Sequence, residues 1–322
     1  MVAPEIIRKF VAKIKEKHHR LNEPMIEKDF YLTLLLNEIS KSIEEDKDSP
    51  FRKLVFKGGT LLTRTHLQYH RISEDLDFTY LDNQRLHRFS MQQRNKAIAN
   101  FTGQLAEKIG GISKKYGLDF STDKSDAKYY RVLDRKNAYL FKVYYLPAYG
   151  AEGVIKYEIN FNDELEYIPL FEDIRHLFDN ELLKDLEFVE GIAINIRKNI
   201  PCYDPREIAM EKIRAVLTRP VIKERDLLDL FLLSKMVNLD ALEKEKIIAK
   251  ILSTVSFVKG LSAKIKQNLE TLAKHRHSVL EEKGHLALIP IDEKKYAHFE
   301  KKILPMLMEI GGKSLLKIKE AF

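Results

Sequence analysis

Cysteine is nearly absent from this chain, and so are long apolar runs. The 322 residues include a single cysteine, Cys202, which excludes an internal disulfide framework and suits a reducing compartment. No stretch of eighteen apolar residues occurs, so no membrane span is expected. The first twenty residues mix charge with helical apolar spacing and lack the apolar block of a signal peptide. We therefore expect a cytoplasmic protein with no membrane partner.

The composition is otherwise that of a globular protein with a substantial core. Hydrophobic residues make up 44% of the chain and charged residues 32%, with a formal net charge of +7. A positive balance favours an anionic partner, and nucleic acid is the first candidate. Mild basicity is also common among soluble proteins, so charge alone does not decide the partner.

The order of predicted elements indicates an α+β protein whose helices dominate its second half. Strand patterns occur only before residue 200, and from Asp204 onward the pattern is almost entirely helical. We predict a catalytic domain over residues 1–200 and a helical domain over 201–322, with the boundary in Arg197–Asp204. A hairpin turn is expected at Asp134–Lys136. The predicted helices are 4–18, 26–45, 60–68, 83–116, 205–217, 223–236, 240–252, 260–274 and 293–310, and the predicted strands are 53–56, 76–80, 128–133, 137–146 and 154–161.

One stretch, from Lys57 to Phe78, combines a glycine turn with a pair of aspartates. Side chains two residues apart on a strand point to the same face, so Asp75 and Asp77 should lie together. The upstream turn, Gly58-Gly59-Thr60, permits close approach of a phosphate, and the threonine adds a hydroxyl donor. Paired carboxylates beside such a turn can bind Mg²⁺ and a nucleoside triphosphate. Surface strands also carry Asp-x-Asp, so the pair alone is a weak signal.

A third carboxylate is predicted on the alternating strand 154–161. Glu158 shares its face with Lys156 and Asn160, while the apolar residues of the strand point the other way. Three acidic groups around two Mg²⁺ ions would bind the triphosphate, activate a hydroxyl and stabilise the leaving pyrophosphate. The alternative is an ordinary solvent-facing strand residue.

The helical half carries charged residues at the edges of apolar helix faces. Lys212 lies beside the apolar stripe of the helix that begins after Asp204, and it either extends its ammonium to solvent or reaches phosphate oxygens. On the next helix Asp226 and Asp229 share one side, and Arg225 is spaced to pair with Asp229. These carboxylates need a partner, which is Arg225, Lys212 or a ligand. A salt bridge network between the two helices is the structural alternative.

Four motifs in order resemble the AbiEii/MenT nucleotidyltransferase toxins of the DNA polymerase β-like superfamily. The resemblance extends from Ile26-Glu27-Lys28-Asp29 to about Leu233, over most of the chain. The motifs are Lys57-Gly58-Gly59-Thr60-Leu61, Arg71-x-Ser73-x-Asp75-Leu76-Asp77-Phe78, Glu211-Lys212-Ile213-Arg214-Ala215 and Arg225-Asp226-Leu227-x-Asp229-Leu230.

The resemblance implies a polymerase β-like nucleotidyltransferase core with a mixed sheet, followed by a helical half that contributes Lys, Arg and Asp to the active site. It implies transfer of a nucleotide from an NTP with Mg²⁺ or Mn²⁺, to the 3′ end of tRNA in characterised members. Lys212 would neutralise charge on the triphosphate, and Asp226 would orient or deprotonate the acceptor hydroxyl. The implied catalytic residues are Asp75, Asp77, Lys212 and Asp226, the metal ligands Asp75, Asp77 and Glu158, and the nucleotide-binding residues Lys57, Gly58, Gly59, Thr60, Arg71, Ser73, Arg225 and Asp229.

The acceptor and the biological role are implied only through this resemblance. RNA, with tRNA as the expected substrate, is the first hypothesis for the acceptor. An enzyme of the same fold that modifies a protein or a small molecule is the second, and a catalytically silent nucleic-acid-binding protein and a two-metal phosphodiesterase are further alternatives. The resemblance also implies the toxin of a toxin–antitoxin or abortive-infection system, with a cognate antitoxin encoded nearby and no obligate complex between the two.

Overall fold

The computed structural model of the protein describes residues 2–19, 21–67, 69–133, 137–151, 153–254, 260–274 and 290–321. The chain forms two compact units. The first unit comprises Met1–Asp163 and Pro169–Tyr203, and the second comprises Glu164–Ile168 and Asp204–Phe322. The predicted turn Asp134–Lys136 lies outside the described residues.

A mixed seven-stranded sheet forms the centre of the first unit, in the spatial order β3-β4-β5-β2-β1-β7-β6. Strand β2 is central because it pairs antiparallel with β1 and parallel with β5. Strand β4 continues the sheet antiparallel to β5, and β3 is its edge strand on that side. The strands are β1 (Leu54–Lys57), β2 (Leu76–Tyr80), β3 (Tyr130–Leu133), β4 (Ala138–Tyr145), β5 (Gly153–Asn160), β6 (Leu170–Phe171) and β7 (Pro201–Cys202).

Six helices accompany this sheet in the described part of the first unit. They are α1 (Pro4–Lys17), α2 (Glu23–Glu45), α3 (Gly58–Arg64), α4 (Asn83–His87), α5 (Met91–Tyr116) and α6 (Asn180–Glu190). Two of them pack on the same face of the sheet: Tyr31 of α2 stacks on Tyr145 of β4 at 4.2 Å, and Phe101 of α5 meets Tyr80 of β2 edge-on. Aromatic burial of this kind supplies much of the stabilisation of a core.

The alternation of buried and half-buried residues confirms the predicted strand faces. On β2, Leu76 and Phe78 are buried while Asp77 is half-buried. On β5, Ile155, Tyr157 and Ile159 are buried and Glu158 lies on the other face, as predicted. One side of the central strands therefore faces the helices, and the other side carries the polar groups.

Several element boundaries differ from the predicted ones for local reasons. The predicted helix 83–116 is two helices, because Ser90 accepts from the backbone N–H of Gln93 and starts α5 anew with a capping box. Helix α3 begins at Gly58 and ends at Arg64, earlier than predicted at both ends. Helix α6 and the short strands β6 and β7 had no predicted counterpart, because their patterns are only two to eleven residues long.

The second unit is helical in its described residues. Its helices are α7 (Pro205–Thr218), α8 (Glu224–Leu233), α9 (Lys244–Leu252), α10 (Leu261–Lys274) and α11 (Glu293–Ala321). Helix α11 continues past the predicted end at residue 310 and contains Pro305. Asp204 caps α7 by accepting a hydrogen bond from the backbone N–H of Arg206. None of the helices in the described ranges combines the length and the apolar character needed to cross a bilayer.

Segment 164–168 belongs to the second unit because buried charges of that unit hold it. The Glu207 carboxylate, fully buried, accepts from the backbone N–H groups of Glu166 and Tyr167. Lys250 of α9 pairs with Glu207 at 2.7 Å and donates to the carbonyl of Glu164. Burial raises the pKa of Glu207, and the charge of Lys250 opposes that shift.

Candidate active site

Strand register aligns three of the predicted site residues in one row across the sheet of the first unit. Lys57 on β1 pairs with Asp77 on β2, and Asp77 pairs with Glu158 on β5. Directly paired residues present their side chains on the same face, and neighbouring strands lie about 4.8 Å apart. The structure therefore brings Asp77 and Glu158 together on the polar face, although 81 positions separate them in the chain.

Asp75 lies just before β2, and one of its carboxylate oxygens is buried without a hydrogen-bond partner among the described residues. A buried carboxylate oxygen without a donor is costly, so such an atom points to a group that the protein binds. The hydroxyl of Thr60 donates to the backbone carbonyl of Asp75. Thr60 is fully buried and therefore holds the aspartate segment in place, which differs from its predicted role as a phosphate donor.

The glycine turn lies against the side chains predicted to act with it. Gly58 has φ +79°, and a Cβ atom there would lie 2.1 Å from the Asp77 Oδ2 atom. A Cβ atom on Gly59 would lie 2.7 Å from both the Arg71 Nη2 atom and the Ser73 Oγ atom. Glycine is required at position 58, because its φ is positive and a Cβ atom would also lie 2.9 Å from the Cβ and Cγ atoms of Asp77. A side chain at position 59 would displace the ends of the Arg71 and Ser73 side chains. The structure thus brings the turn, Asp77, Arg71 and Ser73 together.

Lys57 is held beside this turn rather than being a freely moving cation. Its ammonium group pairs with the buried carboxylate of Asp163 at 2.7 Å and lies 5.8 Å from the centre of the Tyr203 ring. An ammonium group has three donors, so a phosphate oxygen can share it with Asp163. The predicted nucleotide-binding role of Lys57 stays a prediction, with the position of its charge now defined.

Within the described residues, no three histidine, cysteine, aspartate or glutamate side chains form a ready metal-binding cluster. The predicted set of Asp75, Asp77 and Glu158 is therefore not a closed three-carboxylate cage. Mg²⁺ in nucleotide sites is held by one or two carboxylates, several waters and the substrate phosphates. The unpartnered oxygen of Asp75, two residues before Asp77 in the chain, fits that mode of binding.

The second unit assembles the predicted helical residues into one buried ion-pair cluster. Lys212 of α7 pairs with Asp226 at 2.8 Å and with Asp229 at 2.6 Å, both on α8. Asp226 and Asp229 are fully buried, and Lys212 is 8% exposed. Arg219, which follows α7, binds the second oxygen of Asp226 at 2.5 Å. Charges this deeply buried persist only when they are paired, and here they are.

The pairing of two arginines differs from the prediction. Arg225 is exposed on α8, and its predicted partner Asp229 is bound by Lys212 instead. Arg219 was missed, because helical spacing reveals only partners three or four positions away and Arg219 lies seven residues before Asp226. The structural alternative, a salt bridge network joining two helices, is thus present.

The segment Glu27-Lys28-Asp29, in the first half of α2, contacts two loops of the first unit and the end of α3. Glu27 is fully buried and accepts from the backbone N–H groups of Ala148 and Tyr149. Burial raises the pKa of its carboxyl group, and these two N–H groups counteract the shift. Lys28 pairs with Glu74, the residue before Asp75, at 3.0 Å. Consecutive residues of one helix thus fix the segment that carries the aspartates.

Asp29 completes this support by holding the far end of α3. Its carboxylate pairs with the guanidinium of Arg64 at 2.7 Å, and both side chains are 1% exposed. The Tyr69 hydroxyl also reaches Asp29, and Tyr69 has the left-handed backbone angle φ +60°. Because Tyr69 lies two residues before Arg71, the buried pair anchors both the glycine-turn helix and the loop that returns to it.

We expect Asp29→Ala to lower the free energy of unfolding by about 3–5 kcal/mol, because it leaves the Arg64 charge buried without its partner. Urea unfolding followed by circular dichroism measures the change. The matched control is the double variant Asp29→Leu with Arg64→Met, which removes both charges and should recover most of the loss. Equal stability of Asp29→Ala and wild type would show that the pair contributes nothing.

Comparison with known proteins agrees with the chemistry of these residues. The family model described as Nucleotidyl transferase AbiEii toxin, Type IV TA system, matches residues 44–318. The chain belongs to this family, and it is a nucleotidyltransferase. The family implies an NTP substrate and an antitoxin partner. The matched range includes the glycine turn, both aspartates, Glu158 and the ion-pair cluster of the second unit.

Other comparisons add little to this identification. Comparison with curated proteins gives no match. The crystal structure of JHP933 from Helicobacter pylori is similar over 94% of this chain and 97% of that chain, with 16% sequence identity and a TM-score of 0.42. A TM-score of this size is too low to support an inference about fold or activity.

Proposed function

We propose that the protein transfers a nucleoside monophosphate from an NTP to the 3′ end of an RNA, with tRNA as the preferred acceptor and Mg²⁺ as the cofactor. The observation that carries the proposal is the contact of the Gly58-Gly59 turn with Asp77, together with the buried, unpartnered oxygen of Asp75 two residues earlier in the chain. A carboxylate pair next to a turn that tolerates no side chain fits a bound metal and a phosphate chain. The polymerase β-like character of the core is part of the same proposal.

The residues of the first unit divide between holding and orienting. Asp75 and Asp77, with Glu158 next in the row, would hold Mg²⁺, which when bound neutralises charge on the phosphates. Arg71, Ser73 and the turn would bind the triphosphate. The acceptor hydroxyl gives its proton to a solvent water and forms a bond to the α-phosphorus, while the bond from that phosphorus to the β-phosphate oxygen breaks and pyrophosphate leaves.

The cluster of the second unit suggests a revised role for Asp226. Both of its oxygens accept from cations, one from Lys212 and the other from Arg219. A carboxylate whose two oxygens are already engaged is poorly suited to accept a proton. We therefore propose that Asp226 positions Lys212 and Arg219, and that Lys212 neutralises triphosphate charge. Asp229, fully buried and bound to Lys212 at 2.6 Å, is proposed to serve nucleotide binding through Lys212, and Arg225 keeps its proposed nucleotide-binding role.

The biological part of the proposal concerns toxicity. In the cytoplasm, a transfer that blocks the 3′ end of tRNA would prevent aminoacylation and so arrest cell growth. The antitoxin is proposed to be encoded nearby and to act without an obligate complex. Expression from an inducible plasmid, with and without the neighbouring gene, tests whether the protein is toxic and whether that gene relieves the toxicity. Harmless expression of the active enzyme would contradict the proposed toxin role.

The central experiment incubates the purified protein with total tRNA and each α-³²P-labelled NTP in turn. We expect label to enter the tRNA band with one NTP or a subset, and the labelled band to disappear on RNase treatment. Labelling should require Mg²⁺ or Mn²⁺ and should be lost with EDTA, which removes the metal ion that the carboxylates bind. Label that resists RNase would instead identify a protein or small-molecule acceptor. Release of nucleotides from RNA without NTP would identify a phosphodiesterase, and RNA binding without NTP consumption a silent binding protein.

A further inference from the structure

The polar face of the sheet continues beyond the aspartates onto β5, β4 and β3. Along β4 and β5 buried residues alternate with half-buried ones. Lys142 on β4 and Lys156 on β5 belong to the half-buried set and are directly paired. Helices α2 and α5 cover the opposite face, so these lysines lie on the same side of the sheet as Asp77 and Glu158.

Strand register fixes the distance of this basic surface from the aspartates. Arg131 on β3 pairs with Leu140 on β4, which pairs with Glu158, which pairs with Asp77. Arg131 thus lies in the same row as Asp77, three strand spacings or about 14 Å away. Lys156 lies two residues before Glu158 on β5, which brings it close to the start of β2 and Asp75.

The three cations have spare hydrogen-bonding capacity. Among the described residues, neither Arg131 nor Lys156 takes part in an ion pair. Lys142 donates to the backbone carbonyl of Ala127 at 3.0 Å, which leaves two of its donors. The nearby carboxylate of Asp119 is already neutralised, because Lys128 binds it at 2.6 Å. We define Arg131, Lys142 and Lys156 as the basic strip.

The sheet order separates this strip from the glycine turn. The turn follows β1 on one side of β2, whereas β5, β4 and β3 lie on the other side. A triphosphate bound at the turn therefore occupies one flank of the aspartates and leaves the strip for a second anion. A span of about 14 Å suits several phosphates along a chain better than a single phosphate group.

We infer that the basic strip binds the phosphate backbone of the acceptor RNA and directs its 3′ end toward Asp75 and Asp77. The inference rests on the proposed function, because it takes RNA as the acceptor. Phosphate contacts of this kind fix the position of a nucleic acid without reading its sequence. The basic strip therefore recognises an RNA backbone, and it does not determine which RNA sequence is bound.

The test compares two triple variants of equal charge change. The strip variant is R131Q/K142Q/K156Q, and the control is R88Q/K96Q/K114Q, whose residues are exposed on or beside α5, the helix that covers the opposite face. Binding of 5′-fluorescein-labelled tRNA is measured by anisotropy over a range of salt concentrations. Steady-state transfer gives KM for tRNA and KM for NTP separately.

We expect the strip variant to weaken tRNA binding by about tenfold or more at low salt, because three phosphate contacts are lost. The slope of log affinity against log salt should fall by about 2, since each contact to a single strand contributes about 0.7. KM for tRNA should rise while KM for NTP stays unchanged. The control variant should bind tRNA like the wild type.

Two results would overturn the inference while leaving the proposed function intact. One is equal tRNA affinity and salt dependence in the strip and control variants. The other is a raised KM for NTP with unchanged tRNA binding, which would assign the strip to the triphosphate. Failure of the proposed function appears separately, as a wild-type protein that labels no RNA with any NTP, and it removes the acceptor role of the strip as well.

Discussion

Replacing Asp77 or Asp75 by asparagine is expected to reduce nucleotide transfer by a factor on the order of 10³. Asparagine keeps the shape of aspartate but removes the charge that a metal and a developing phosphate charge require. Among the described residues, one oxygen of Asp75 has no hydrogen-bond partner, which is consistent with a role in binding a metal ion. In Asp75→Asn, neutralising a carboxylate with an oxygen that lacks a donor costs the fold little, so activity should fall without loss of stability.

The measurement is incorporation of ³²P from the preferred NTP into tRNA, with thermal unfolding recorded for every variant. Asp82→Asn is the matched control, because Asp82 follows β2 by two residues, is exposed, and makes no capping hydrogen bond. We expect full activity from this control. Transfer at the wild-type rate by Asp77→Asn or Asp75→Asn would remove both residues from the catalytic assignment.

The faces of the central strands could be predicted from local pattern, but the row of site residues could not. Alternation alone correctly placed Leu76 in the core and Asp77 and Glu158 on the polar faces of their strands. The proximity of Asp77 to Glu158 depends on the parallel pairing of β2 with β5, which joins segments that are distant in the sequence. Chain-local periodicity contains no information on which strands pair.

The partners of charged helical groups were only partly predictable, for a related reason. The sequence left Arg225, Lys212 or a ligand as the partner of Asp229, and the structure selects Lys212 on the preceding helix. Likewise the sequence analysis assigned no partner to Asp29, which is 1% exposed and bound to Arg64. A buried ion pair between distant residues follows the packing, and the packing is decided by the whole core.

The second large effect is expected at Gly58, where backbone conformation and site geometry coincide. Its φ of +79° is unfavourable for any residue with a side chain, at a cost of about 1–2 kcal/mol. An alanine Cβ would also lie 2.1 Å from the Asp77 Oδ2 atom, so the carboxylate must move. A shift of about 1 Å in a catalytic group can reduce the rate by about 100-fold.

Gly191→Ala separates the two causes. Gly191 has φ +66°, and an added Cβ would meet no atom within 4 Å, so this variant carries the same backbone cost without disturbing a carboxylate. We expect both variants to lose similar stability in thermal unfolding, and only Gly58→Ala to lose transfer activity by about 100-fold or more. Equal activity in the two variants would mean that the position of Asp77 relative to the turn does not limit transfer. An equal loss of activity in both would attribute the effect to backbone strain, since strain is the only change that the two substitutions share.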